Sequence, residues 1–268
     1  TSGGSTIRGL VIQAFSGEGI LIESSNNLIA GNFIGSAADG TTNVGNSGNG
    51  IWIKDNASNN TIGGTASADQ NVIIDSGVNG ILVSGSQATG NKLVGNRITK
   101  NGGLGIALDS GTVDSNDFHD DDSGANMGQN YPTITLGEVS GADLMVGGTL
   151  GTSPNATFTL HFYASSVADG SSHGEAGLYL GYTSVTTDND GNGTFNVTFT
   201  GAGVPVGKYL TATATDSSNN TSEFSQNYVA TVPNVAPTFT SPTTVNVNEN
   251  QSFVQTASAS DPADILTY

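Results

Sequence analysis

The residues best equipped for chemistry are carboxylates, and they come in groups. Asp117, Asp120, Asp121 and Asp122 crowd together in the sequence with His119 among them. Carboxylates this close suit a hard cation such as calcium, which collects several oxygen ligands. The same run also reads as an acidic, solvated connector, and the imidazole of His119 is a poor calcium ligand. A second group is Asp188-Asn189-Asp190-Gly191-Asn192-Gly193. Its side-chain oxygens at Asp188, Asp190 and Asn192, with glycine at the sharp turn, match the first half of a calcium loop. Where such a loop ends on a bidentate glutamate this chain has Phe199, and Asp190-Gly191 is equally a hairpin-turn signal.

Catalysis on sugars would need other sets. Hydrolysis takes two carboxylates roughly 5 to 9.5 Å apart across one bond. Elimination takes a base beside cation-binding carboxylates. The aligned outward positions Glu23, Lys54, Ser84 and Asp109 are the nearest approach to either, and there Glu23 with Lys54 reads first as an ordinary surface ion pair. Trp52 is the single tryptophan. It alternates outward from Ile51 and Ile53, where it could stack on a sugar ring or pack under a neighbouring insertion. His161 and His173 have no partner His or Cys at ligand spacing and read as structural or surface residues.

What must position these groups is a degenerate repeat from Ser5 to about Phe118. One half-unit runs Thr6-Ile7-Arg8-Gly9-Leu10-Val11-Ile12 and Leu28-Ile29-Ala30-Gly31-Asn32-Phe33-Ile34. It returns at Thr61-Ile62-Gly63, Lys92-Leu93-Val94-Gly95-Asn96-Arg97-Ile98 and Thr112 to Phe118. The other half-unit is Gly19-Ile20-Leu21-Ile22, Gly50-Ile51-Trp52-Ile53, Gly80-Ile81-Leu82-Val83 and Gly105-Ile106-Ala107-Leu108. Recurrence every 20 to 30 residues or so marks a solenoid, and period-two alternation makes its elements strands. Each unit is then one coil of a parallel β-helix, with coils about 4.8 Å apart. Ile7, Ile29, Ile62, Leu93 and Val113 form one inward column, and Ile12, Ile34, Ile98 and Phe118 another. Asn32, Asn96 and Asn116 share one point of the coil, as turn residues or as a hydrogen-bonded amide ladder. Ser36 to Ser47 and Thr65 to Gln70 are insertions, expected as loops on one face.

The 268 residues carry a net charge of −17, with only six Lys plus Arg and no Cys. That balance argues against nucleic acid, which needs a basic surface, and against anionic membranes, and it is compatible with divalent cations as partners. No apolar run is long enough to span a bilayer, and disulfides play no part. The first residues already lie inside the repeat and the last in a strand-like run, so the sequence reads as a piece of a larger protein.

Three segments follow from the pattern: a β-helix over 1–130, a β-sandwich over 131–232 and the start of a third unit over 233–268. The sandwich is expected from strands near Thr133–Val139, Leu144–Leu150, Ala156–Tyr163, Leu178–Thr187, Thr194–Thr200, Tyr209–Thr215 and Glu223–Ala230. In the tail, Val245–Asn250 and Phe253–Ala257 are the expected strands.

Phrases such as Gly31-Asn32-Phe33-Ile34-Gly35 and Asn59-Asn60-Thr61-Ile62-Gly63-Gly64, with Gln129-Asn130-Tyr131-Pro132 and Ala212-Thr213-Ala214-Thr215-Asp216, carry a resemblance. The chain resembles the right-handed parallel β-helix repeats of large bacterial surface proteins, followed by an Ig-like antiparallel sandwich. Pro237-Thr238-Phe239, Val247-Asn248-Glu249-Asn250, Ala259-Ser260-Asp261 and Leu266-Thr267-Tyr268 resemble the opening of a bacterial cadherin-like domain. That likeness implies calcium ligands at Glu249 and Asp261, although the family's second Asp is Ala263 here.

These readings converge on a non-catalytic stalk or adhesion module of a secreted or cell-surface bacterial protein, with extracellular carbohydrate or a cell-surface protein as partner and calcium in a structural role. The rival is a polysaccharide lyase or glycoside hydrolase fragment, since many pectate-lyase-like enzymes share the β-helix. A spacer without a ligand is the third option.

Overall fold

The computed structural model describes residues 3–234, 238–239, 249–250, 252 and 258–260. Its first half is built from three parallel sheets, each four strands deep. One stacks β1 (Thr6–Arg8), β4 (Leu28–Ala30), β7 (Thr61–Gly63) and β10 (Lys92–Val94). The second stacks β2 (Val11–Ile12), β5 (Phe33–Ile34), β8 (Val72–Ile74) and β11 (Arg97–Thr99). The third stacks β3 (Ile20–Ile22), β6 (Ile51–Ile53), β9 (Ile81–Val83) and β12 (Ile106–Leu108). This is the arrangement of a parallel β-helix, and the expected columns are in register. Ile29, Ile62 and Leu93 stack rung over rung, as do Ile34, Ile73 and Ile98, and Ile51, Ile81 and Ile106. All nine side chains are buried, and each buried aliphatic of this size contributes about 1.5–3 kcal/mol.

Four glycines explain how the coils close up. A Cβ on Gly19, Gly50 or Gly80 would stand 2.6 Å from the carbonyl oxygen of the equivalent glycine in the next coil. Contacts that short exclude any side chain, so the repeat must place glycine before each third-sheet strand. The fourth, Gly105, has no further coil above it. There the ring of Phe224 takes the place of the next rung, 2.8 Å from where a Cβ would be.

The amide ladder exists with Asn32 and Asn96 as expected, and its third member is Asn71, between them, in place of the expected Asn116. Asn32, Asn71 and Asn96 form it: the Asn32 Nδ2 donates to Asn71 Oδ1 at 3.0 Å, and Asn71 Nδ2 to Asn96 Oδ1 at 2.9 Å. A second ladder runs Asn27, Asn60, Asn91, and its last rung is Asn126, whose Oδ1 accepts from the Asn91 backbone N–H. Asn116 belongs to neither. Its amide instead makes two hydrogen bonds to the backbone of Tyr131. Nor do Val113 and Phe118 extend the columns. The parallel strands end at Leu108, and Phe118 is 74 % exposed. The physical reason is that the space above the last coil is already filled by the following domain.

That domain is an antiparallel sandwich. One sheet is β13 (Thr133–Ser140), β14 (Asp143–Gly151) and β17 (Asn192–Phe199); the other runs β16 (Leu178–Thr186), β15 (Thr157–Ser165), β18 (Tyr209–Thr215) and β19 (Tyr228–Val229). Only Tyr228–Val229 of the last expected strand is extended. Alternate residues of β15, namely Phe158, Leu160 and Phe162, fill the sandwich core with Leu144, Val146 and Leu210. Tyr163 points the other way and joins the β-helix core together with Ala176 and Phe224. Strands β15 and β18 of the second sheet are therefore largely buried on both faces, between the partner sheet and the end of the β-helix, while β16 at its edge stays partly exposed.

The expected hairpin at Asp190-Gly191 is corrected. β16 pairs with β15 and β17 pairs with β14, so the turn joins strands of opposite sheets. In the tail, Thr238–Phe239 pairs antiparallel with Ala259–Ser260. The expected tail strand Phe253–Ala257 lies outside the described residues, as does Val245–Asn250 except for the turn at Glu249-Asn250. Among the described residues no helix is long and apolar enough to cross a membrane.

Candidate functional site

Between the last coil and β13 the chain turns back sharply. His119 and Asp120 take left-handed conformations (φ 62° and 59°), as do Asn126 and Met127 further on. Left-handed backbone is uncommon for residues other than glycine, and here it gathers three carboxylates. One ligand oxygen from each of Asp117, Asp120 and Asp122 lies within 4.8 Å of the others. Each carboxylate is anchored differently. Asp117 Oδ2 accepts from the backbone N–H of Asp121 and of Asp122, at 3.0 and 3.1 Å. Asp120 accepts from the Asn130 N–H at 2.8 Å and the Thr152 hydroxyl at 2.9 Å, tying the loop to the end of β14. Asp117 Oδ1 and Asp122 Oδ1 are buried with no hydrogen-bond partner.

The electrostatics follow. Burial pushes the Asp120 carboxyl up to about 6, against its two hydrogen bonds and helped by the nearby charges of Asp122 and Asp117. Burial also raises Asp122, with Asp117 and then Asp114 adding to it. Half-buried carboxylates that repel one another are relieved by a shared cation or by a proton. The triad can hold a metal ion. Asp121 is exposed and its carboxylate is not in the triad, while His119 stacks on Phe118 at 3.7 Å between ring centroids.

The Asp188 loop closes on itself. Asp188 Oδ1 accepts from the backbone N–H of Asp190 and of Asn192, at 2.9 and 2.8 Å, and Asn192 Nδ2 reaches back to the Asp190 carbonyl. Phe199 packs at the edge of the sandwich core. Glu249 is exposed in a turn, and Asp261 lies outside the described residues.

No protein-family model matches the chain.

The outward column on the third sheet is occupied as follows. Lys54 pairs with Glu23 at 3.1 Å and lies 3.7 Å from Asp55. The hydrogen bond to Glu23 and then the charge of Asp55 hold its ammonium further toward the protonated form, the wrong direction for a general base. Ser84 accepts from Trp52 Nε1 at 2.8 Å. Asp109 accepts from the N–H groups of Gly85 and Ala125. Trp52 itself is half-buried and outward-facing, in register with Leu21 and Leu82. The Lys54 ammonium sits 5.4 Å from its ring centroid. The insertion after Ile34 does not cover it: Gly40 lies against Phe33 and Val72, and its carbonyl accepts from Arg97, all on the second sheet.

His161 is buried, with Nδ1 2.9 Å from the Tyr179 hydroxyl, and burial followed by the charge of Lys92 lowers it to about 4. His173 Nδ1 lies 3.0 Å from the Phe224 carbonyl oxygen.

Residues that sequence reasoning passed over make the joint between the domains. Glu223 is buried and accepts from Leu108 N–H at 2.8 Å and Asp114 N–H at 2.9 Å. Thr221 Oγ1 accepts from Leu93 N–H, the Tyr163 hydroxyl from Gly95 N–H, and Asn220 Oδ1 from Gly90 N–H. Ile98 and Ala176 bond through both backbones. A bare sheet end presents unpaired N–H groups and templates aggregation. Here the sandwich satisfies them one by one.

Proposed function

We propose that this chain is a non-catalytic module of a secreted or cell-surface bacterial protein, a stiff stalk whose faces adhere to carbohydrate or to another cell-surface protein. The observation that carries this is the joint. Tyr163, Ala176 and Phe224 belong to the β-helix core, and five side chains (Tyr163, Glu175, Asn220, Thr221 and Glu223) and one backbone pairing from the sandwich end the coils. Two domains sharing a core and main-chain hydrogen bonds have no free hinge, which suits a part that transmits load. The resemblance to right-handed β-helix surface repeats with an Ig-like sandwich and a cadherin-like tail supports the same setting. Calcium at the Asp117–Asp120–Asp122 triad would be structural, bracing the connector against Thr152.

A panel of neutral and acidic glycans, incubated with labelled protein with and without calcium, tests the reading. Saturable binding without chain cleavage supports it. Cleavage of any acidic polysaccharide, seen as new ultraviolet absorbance or reducing ends, would establish the lyase or hydrolase alternative instead. Neither binding nor cleavage would leave a spacer.

A further inference from the structure

The chain has only six Lys plus Arg against 23 Asp plus Glu. Three of the six, Arg97, Lys100 and Lys208, line one groove of about 360 Å³ where the last coil meets the sandwich. In so acidic a protein, cations are expected to pair with carboxylates. Among the described residues, ion pairs involve only Arg8 and Lys54. Two of the groove's three cations are held by neutral groups instead: one Arg97 nitrogen donates to the Gly40 carbonyl at 2.9 Å, and Lys208 Nζ to the Ser166 hydroxyl at 2.9 Å. The single acid lining the groove, Glu175, is buried, accepts a hydrogen bond from the Lys100 backbone N–H and feels the Lys100 charge, so it offsets one of the three cations. Three cations in a concave site against one carboxylate, two of them held only by neutral groups, leave a surplus of positive charge that is the footprint of an anionic ligand.

The rest of the lining narrows the class. Exposed Val167, Leu178 and Pro205 give flat apolar surface, and Ser165 and Ser166 add hydroxyls. Apolar patches suit the C–H faces of pyranose rings, hydroxyls suit their substituents, and guanidinium and ammonium groups suit a carboxylate. A peptide bound as an added strand would need a free strand edge along the groove. Besides the ends of β15 and β16, the edge strand β11 reaches it through Arg97 and Thr99, and that edge is already bridged by Ala176 at Ile98 and by Glu175 at the Lys100 N–H. We infer that this groove binds a carboxylate-bearing oligosaccharide without cleaving it. This deepens the adhesive reading and rests on it.

The test is calorimetric titration of the 268-residue chain with trigalacturonate, with its methyl-esterified neutral form, with sodium acetate and with an acidic tetrapeptide. The account expects trigalacturonate to bind most tightly, with affinity falling as salt screens the exposed charges. The variants Lys208→Gln and Arg97→Gln should each weaken it about tenfold, with circular dichroism unchanged. If the neutral ester binds equally well and the variants have no effect, the groove assignment is overturned while glycan adhesion stands. Acetate matching the trisaccharide, or the peptide exceeding it, overturns the sugar assignment. No binding by any of the four overturns the groove inference, and binding of other glycans from the panel then decides the adhesive reading separately.

Discussion

The Glu223 carboxylate, carried by the sandwich, accepts a hydrogen bond at 2.8 Å from the backbone N–H of Leu108, the last residue of the last parallel strand. Its other oxygen takes the Asp114 N–H. An acid has thus been buried to end a β-helix. Burial pushes its carboxyl from 4.5 up to about 7, with the two N–H donors opposing and Asp114 adding. The folded chain therefore holds this proton more tightly than the unfolded chain. The contribution is fully present below about pH 4.5 and is lost as pH rises through about 7, at most about 3 kcal/mol. Asp120, raised to about 6, acts in the same direction over a lower range, while buried His161, lowered to about 4, opposes both below about pH 6.5 and offsets part of their sum. Urea unfolding should thus show higher stability near pH 5 than near pH 8, and Glu223→Gln should flatten the upper part of that slope.

Asn71 stands in the middle of the first ladder. Its Oδ1 accepts from both nitrogens of Asn32, and its Nδ2 donates to the Ile29 carbonyl and to Asn96 Oδ1. Asn71→Ala strands buried partners on both sides and should cost about 2–4 kcal/mol in denaturant unfolding. A change below about 0.5 kcal/mol would mean that the ladder adds little.

Gly80 and Phe224 test the spacing between rungs. A Cβ at Gly80 would meet the Gly105 carbonyl at 2.6 Å and the Ile98 side chain at 2.5 Å, so Gly80→Ala must force two coils apart. Phe224→Ala leaves a void over Gly105 beside Tyr163 and should cost about 3–5 kcal/mol. Thermal unfolding of each variant measures both.

Calcium should raise the melting temperature if the triad holds it. Stabilisation grows with occupancy, reaching about 2.7 kcal/mol at a hundredfold excess over Kd. Asp117→Asn with Asp122→Asn should abolish the calcium response. Asp188→Asn should leave it intact if the triad is the site that responds.

Much of the fold was legible because stacking imposes local rules. Ile29 over Ile62 over Leu93, and glycine before each third-sheet strand, are repeated along the sequence because each coil solves the same packing problem. The second ladder carried a signal too, an asparagine directly before Leu28, Thr61 and Lys92. Its fourth member, Asn126, lies beyond an irregular connector, where no repeat spacing points to it. Phe118 and Val113 misled because their pattern continues the repeat, while what lies above the last coil is decided by residues a hundred positions later. Glu223 and Tyr163 look like ordinary sandwich residues in sequence; only the docking of the second sheet shows what they bond. Of the triad, proximity in sequence offered five candidates. The left-handed turns at His119 and Asp120, which bring together Asp117, Asp120 and Asp122 alone, have no local signature.

Native-state hydrogen exchange gives the most direct measurement of whether the sandwich serves as the final rung of the β-helix. The amides of Leu93, Gly95, Ile98 and Leu108, which bond to Thr221, Tyr163, Ala176 and Glu223, should exchange as slowly as those of Ile62 and Ile73 inside the coil stack. In Phe224→Ala their protection should fall together with that of β15. If those four amides exchange freely, or keep full protection while β15 loses its own, the two domains merely touch.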